Sequence, residues 1–390
     1  MKKISVLICD DSALMRRSLT KIIEADPDLS VADFARDGKD AVAKAKALRP
    51  DVITMDINMP VMDGITALQH IMAEEIAPVI MVSSLTQEGA AATFEAMALG
   101  AFDYVAKPGG TVSANLDQVA RELHAKIKAA AGTGTLGRLL RKKADRLSSQ
   151  RRKSESRESS IGSTAPSVRQ SRVSPLSSRT RVKAEETRQI KISHRGSKTL
   201  PDFKAVALGI STGGPKTLYD VLPLLPQDLN AAVIVVQHMP PKFITSFAKR
   251  IDDNCPMRCM EVKAGMEIEP GNIYVGTGGR HLTLYRKLSK QIVVRTPVQP
   301  HHTFIPSVDV MMKSVLEVFG EQTVGVLMTG MGDDGADSMV EITRAGCITI
   351  AESEESAIVF GMPREAIERG GAKIVVPSWD IAHEIIKAVK

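Results

Sequence analysis

Short apolar runs alternate with amphipathic stretches along the first 130 residues, and no other feature restricts the fold as much. The runs are ISVLIC, LSVADFA, DVITMD, PVIMVSS and DYVAKP; helical stretches lie between and after them, for example Ala13 to Glu24 and Leu116 to Ala130. Strands separated by helices pair in parallel, and a parallel sheet is covered on both faces. Residues 1–130 are therefore predicted to form a five-stranded parallel α/β domain. From Phe203 onward the alternation resumes with AVALGI, AAVIVVQ, NIYVG, TVGVLMTG, CITIA and KIVVP. HLTLYR and QIVVRT, joined by a short polar turn, read as a hairpin. Residues 201–390 are predicted to form a doubly wound, mainly parallel α/β domain that carries this antiparallel hairpin.

Charge separates the two halves. Residues 138–198 hold 18 Lys+Arg against 5 Asp+Glu, whereas the rest of the chain holds 33 against 40, so the net charge of +6 conceals a basic segment between acidic ends. That segment is rich in Ser and Arg and too poor in apolar residues to offset its ordering entropy. Residues 131–200 are predicted to be a flexible linker. Its lack of stacking aromatics argues against nucleic acid as a partner. No run of about 18 apolar residues occurs, so membrane insertion is not expected. The N-terminal MKKISVLICDDS is too short in apolar residues for a signal peptide, and a cytoplasmic location follows as the expectation. Cys9, Cys255, Cys259 and Cys347 then read as reduced thiols. Cys255 and Cys259 have no second Cys/His pair at finger-like spacing, so no zinc site is expected there.

In an open parallel sheet, ligands bind beyond the carboxyl ends of the strands. Asp10 and Asp11 end the first run, Asp56 the third, Ser83 the fourth and Lys107 the fifth. Three converging carboxylates repel one another unless a cation lies among them. Magnesium suits a few carboxylate oxygens supplemented by waters and a phosphate. Lys107 supplies a point charge for a phosphoryl oxygen, and Ser83 a hydroxyl. Together they imply phosphoryl transfer onto a carboxylate. LICDDS, TMDINMPVMDG, MVSS and YVAKP closely resemble the response-regulator receiver family. The resemblance implies a flavodoxin-like fold with Asp56 as phosphoacceptor. It implies magnesium held by Asp11, Asp56 and the main chain of Asn58, with Asp10 assisting through solvent. Ser83 and Tyr104 would move on phosphorylation, and Lys107 would bind the phosphoryl group.

The second half opens with ALGISTGGPKT, residues 207–217. The segment nearly spells a phosphate-binding loop, but Pro215 stands where the lysine should be and removes an N–H. Proline favours the first turn of a helix, so strand, tight turn and helix should present the Ser211 hydroxyl at the sheet edge. A serine nucleophile needs a base. Of the eight histidines, only His238 directly follows a strand, AAVIVVQ, that would lie beside the first. An orienting acid should follow another strand, in LMTGMGDDGADS, where spacing leaves Asp333, Asp334 and Asp337 open. The order Ser, His, Asp excludes an α/β-hydrolase, in which the acid precedes the histidine.

GISTGGP, VVQHMP, IYVG, PSVDVMM, LMTGMGDDGA and GMPREAI closely resemble the chemotaxis protein-glutamate methylesterase family, CheB. The resemblance implies Ser211 as nucleophile, His238 as base and Asp334 as orienting acid, with Thr212 and the main chain of Met331 at the oxyanion. It implies hydrolysis of glutamate γ-methyl esters on methyl-accepting chemoreceptors, with methanol released, and deamidation of receptor glutamines. The expected partners are a chemotaxis histidine kinase as phosphodonor and the cytoplasmic helices of chemoreceptors as substrate. The unphosphorylated receiver is expected to cover the catalytic edge. Magnesium is the expected cofactor at the receiver, with none for ester hydrolysis; a monomer is the favoured state. The alternative is a serine esterase or amidase of the same fold acting on a non-chemotaxis protein in a two-component pathway.

Overall fold

Local signals in the chain start most of the helices that frame the two sheets. The computed structural model describes residues 3–84, 86–108, 119–132 and 200–390, so nearly all of the predicted linker lies outside the described residues. In the first half, α1 (Ala13–Glu24) is capped by Ser12, α2 (Gly38–Leu48) by Asp37, α3 (Gly64–Ala73) by Asp63 and α4 (Gln87–Ala98) by Thr86. Each cap side chain accepts a main-chain N–H of the first turn, which helix geometry leaves without a partner. The helix α5 is described over 119–132.

The strands β1 (Ile4–Cys9), β2 (Leu29–Ala35), β3 (Val52–Asp56), β4 (Val79–Ser83) and β5 (Asp103–Ala106) pair in the order β2-β1-β3-β4-β5. All pairings are parallel, as predicted. β3, β4 and β5 are buried along their whole length, which requires cover on both faces. Leu7, Ile53 and Met81 belong to the core on one face, and Ile8, Leu19, Ile80 and Leu123 to the core on the other.

In the second half, seven strands form one sheet. They are β6 (Lys204–Ile210), β7 (Ala231–Gln237), β8 (Arg258–Glu261), β9 (Asn272–Val275), β12 (Thr323–Leu327), β13 (Ile348–Glu352) and β14 (Ile374–Val376). Their order is β14-β13-β12-β6-β7-β9-β8, and every pairing is parallel. The antiparallel pair β10 (Thr283–Arg286) and β11 (Ile292–Arg295) stands apart as its own two-stranded sheet. Helices α6 (Gly214–Val221), α7 (Pro241–Asp252), α8 (Val308–Phe319), α9 (Ala336–Arg344), α10 (Met362–Glu368) and α11 (Ser378–Val389) complete the domain.

The two halves belong to one compact unit and share a hydrophobic core. The Tyr104 ring stacks on Phe243 of α7, with centroids 4.9 Å apart and planes within 3°. Phe94 of α4 meets Phe243 edge-on at 6.0 Å and Phe247 at 5.8 Å. Three of these four rings are at most 1% exposed, and Tyr104 is 4% exposed. The first half thus packs on helices that begin at the carboxyl edge of the second sheet.

Candidate active site

The order in which strands are added to the second sheet reverses at β6, with β7 on one side and β12 on the other. Such a switch point opens a crevice beyond the strand ends. Ser211 follows β6, His238 follows β7, and Asp334 lies in the turn after β12. The register pairs Ile210 with Gln237 and Gly209 with Leu327, so the three strands end nearly level. Beyond β6 the Ser211 N–H donates to Thr329 O at 2.9 Å. Gly213 then adopts φ +78°, in the left-handed region, and Pro215 stands in the first turn of α6. A side chain on Gly330 would collide with Met362 Sδ at 2.2 Å and Ser211 Cβ at 2.8 Å, so the Gly330 backbone lies directly against the serine.

His238 bridges the other two residues. Its Nδ1 lies 3.1 Å from Ser211 Oγ and its Nε2 2.8 Å from Asp334 Oδ2. The carboxylate keeps the proton on Nε2 and leaves the Nδ1 lone pair facing the serine hydroxyl. Asp334 is 2% exposed. Its carboxylate also accepts Ser307 Oγ–H at 2.8 Å, Val308 N–H at 2.7 Å and Asp309 N–H at 3.1 Å, all at the N-terminus of α8. Burial alone would raise its pKa. The His238 hydrogen bond and charge, with the Asp309 and Val308 N–H groups, outweigh burial and hold it at about 2. The acid is ionised throughout the neutral range.

The strand order of the first sheet reverses at β1, between β2 and β3, and the acidic residues collect there. Asp10 is fully buried, Asp56 is 2% exposed, and Asp11 faces solvent. Lys107 Nζ donates to Asp56 Oδ2 at 2.7 Å and lies 3.4 Å from Asp10 Oδ2. Burial pushes the Asp10 carboxyl above the ordinary range, against the Ser12 N–H and Lys107. Half-burial opposes the Lys107 charge, but the Asp56 hydrogen bond and the two carboxylates keep its pKa above normal. Ser83 Oγ–H donates to Gly89 O at 3.2 Å.

Comparison with known proteins identifies both halves. Residues 6–115 match the response regulator receiver domain, and residues 206–385 match the CheB methylesterase family. The protein-glutamate methylesterase/protein-glutamine glutaminase 3 of Syntrophomonas wolfei is 54% identical over 388 residues, 99% of each chain. The chain belongs to the protein-glutamate methylesterase/protein-glutamine glutaminase family. A relative from Caldanaerobacter subterraneus with the same designation is 48% identical, over 100% of this chain and 97% of its own. The solved CheB methylesterase catalytic domain of Thermotoga maritima is 35% identical, with a TM-score of 0.47 over 48% of this chain and 100% of that one.

For this member of the methylesterase family, three acids were open from spacing, and only Asp334 meets His238. Asp333 and Asp337 instead bind Arg369 at the surface, at 2.7 and 2.8 Å. Thr212 is buried beside the serine, and its carbonyl accepts Thr329 Oγ1–H at 2.9 Å. Met331 lines an open cleft of about 420 Å³ with Val359, Phe360 and Arg364. The remaining described histidines do not contact the serine. His281 braces the 300–307 loop, donating from Nε2 to Pro300 O and accepting the Ser307 N–H at Nδ1. His302 Nε2 stands 3.8 Å from Asp334 Oδ1. His194 lies outside the described residues.

Sequence reasoning missed Ser307 and Phe304. Ser307 caps α8 while bonding Asp334, and Phe304 stacks on His238. PSVDVMM signals a helix start, but nothing local tells that the helix points at an acid 25 residues on.

The acidic pocket fits a hard divalent cation. Asp10, Asp11 and Asp56 each offer a carboxylate oxygen within 4.8 Å of the others. Asp10 Oδ2 is buried and accepts no hydrogen bond, despite lying near Lys107. All-oxygen donors with one side open to solvent are what magnesium takes.

Proposed function

We propose that the chain hydrolyses glutamate γ-methyl esters on methyl-accepting chemoreceptors, deamidates receptor glutamines, and is activated by phosphorylation of Asp56. The observation that carries the reading is His238 hydrogen-bonded at once to Ser211 and to an ionised Asp334, at a sheet switch point beside an open cleft. The names of the relatives supply the ester and amide substrates.

In the reaction, Ser211 Oγ attacks the γ-carbonyl carbon as His238 Nδ1 takes its proton. Asp334 stabilises the resulting imidazolium without taking the proton itself. Thr212 and the main-chain N–H of Met331 are assigned to the oxyanion; the close approach of Gly330 to Ser211 supports this for Met331. The tetrahedral intermediate expels methoxide, which leaves as methanol with the proton from His238. Water then attacks the acyl-enzyme, giving its proton to His238. Collapse frees the glutamate and returns the proton to Ser211. A glutamine follows the same course with ammonia leaving.

In the receiver, Asp56 accepts the phosphoryl group of a histidine kinase, with Lys107 holding a phosphoryl oxygen. Asp10, Asp11, Asp56 and the main chain of Asn58 would hold magnesium, which neutralises charge on the phosphoryl oxygens. The Ser83 hydroxyl then turns from Gly89 O to the phosphoryl group, and Tyr104 follows, leaving Phe243. The unphosphorylated receiver restrains α6 and α7, the helices that lead away from Ser211 and His238.

The test is methanol release from methylated chemoreceptors, with and without a small acyl phosphate. The wild type should accelerate. Asp56→Ala should not, and an equal acceleration in that variant rules out activation through Asp56. Phe94→Ala removes one ring from the shared cluster. An aromatic pair is worth about 0.5–1.5 kcal/mol, so release without phosphodonor should rise about two- to tenfold. An unchanged or lower basal rate counts against restraint by this contact.

A further inference from the structure

Phe304 lies face to face with the His238 imidazole, with ring centroids 4.5 Å apart and planes within 10°. A short segment brings it there. The Phe304 N–H donates to His302 Nδ1 at 3.3 Å, and Ser307, three residues on, donates to Asp334 at 2.8 Å. The hydrolytic scheme makes no use of this ring, which remains partly exposed rather than buried in the core. Yet it covers the one side chain whose charge changes during the reaction. The imidazole is neutral before attack and positive once it has taken the serine proton. A benzene face attracts a cation laid across it. A stacked ring also resists the rotation that would swing Nδ1 away from Ser211 Oγ.

Resting on the triad reading above, we propose that Phe304 is a positioning residue that fixes the His238 ring plane and favours its protonated form in the transition state. Ionisable groups lie beside the imidazole. Asp334 bonds it at 2.8 Å, and His302 and Asp309 lie within 4.8 Å of Asp334. All three persist in any Phe304 variant, so a difference between variants isolates the ring. The aromatic face stabilises imidazolium, so the acid limb of the rate profile should move to lower pH when the ring is removed.

The experiment measures methanol release by the full-length, phosphodonor-activated protein from methyl-labelled chemoreceptor membranes between about pH 5 and pH 9, a window spanning histidine titration. Phe304→Leu keeps an apolar side chain of similar bulk but no aromatic face. Its kcat should fall about two- to fivefold, its KM should hold, and its acid limb should move down by about half a pH unit. Phe304→Tyr should keep the limb where the wild type has it. A Leu variant with an unmoved limb overturns the proposal, as does one that changes KM alone; a purely structural ring would lower the rate equally at every pH. Ser211→Ala run alongside separates the two readings. Activity in that variant removes the triad itself, whereas its inactivity together with an unmoved Leu limb removes only the role of Phe304.

Discussion

Ser211→Ala is expected to lower methanol release on the order of 10⁵-fold or more, because the residues of such a triad act as a unit and its nucleophile cannot be bypassed. The fold should survive. The serine side chain is half-buried, and among the described residues its hydroxyl bonds His238. A substitution of that kind costs about 1 kcal/mol. Circular dichroism and a melting curve beside the rate assay therefore distinguish a missing nucleophile from a missing protein. Full activity in a folded variant eliminates Ser211 as the attacking group.

Asp334→Asn is expected to damage catalysis and stability together. The amide can accept at one atom only, while four donors converge on the carboxylate: His238 Nε2, Ser307 Oγ, and the Val308 and Asp309 N–H groups. The wrong tautomer of His238 becomes favoured, and kcat should drop about 10⁴-fold. Buried donors left facing an NH₂ group cost about 1–3 kcal/mol each. The pH dependence provides an independent check. The folded-state pKa of Asp334 is depressed from 3.8 to about 2. Its contribution to stability, about 2 kcal/mol, is complete above pH 4 and is lost as pH falls toward 2. The Asn variant should lose this slope, so its stability should fall less steeply over that range. Wild-type slope in the variant, or a rate within tenfold of wild type, would show that Asp334 does not orient His238.

The sheets were legible because their strands are continuous apolar runs, and buried parallel strands must be. β8 was not. Its sequence, RCME, alternates an exposed arginine with a buried cysteine at the edge of the sheet and carries no apolar run. Ser211 and His238 could be associated because each directly follows a strand, and adjacent parallel strands bring such residues level. The choice among Asp333, Asp334 and Asp337 could not be made, because all three lie in one turn. Tertiary contacts decide it, through Arg369 on the outside and α8 on the inside. Phe304 escaped notice for a similar reason. It lies in a loop without periodicity, and only the return of that loop to the sheet edge brings it over His238. In the first half the strand-end positions of Asp10, Asp56, Ser83 and Lys107 were readable. The partner of Tyr104 was not, since Phe243 is 139 positions away.

Tyr104, Phe94, Phe243 and Phe247 also bear on how the protein behaves as a solute. While they face one another, water does not meet them. Any state in which the receiver leaves α7 presents several aromatic faces to solvent in one patch, and such patches attract other chains with little discrimination. Under the proposed activation, the phosphorylated form is the more adhesive form. Loss of the phosphoryl group proposed for Asp56 would then act as a clock on that exposure as well as on catalysis.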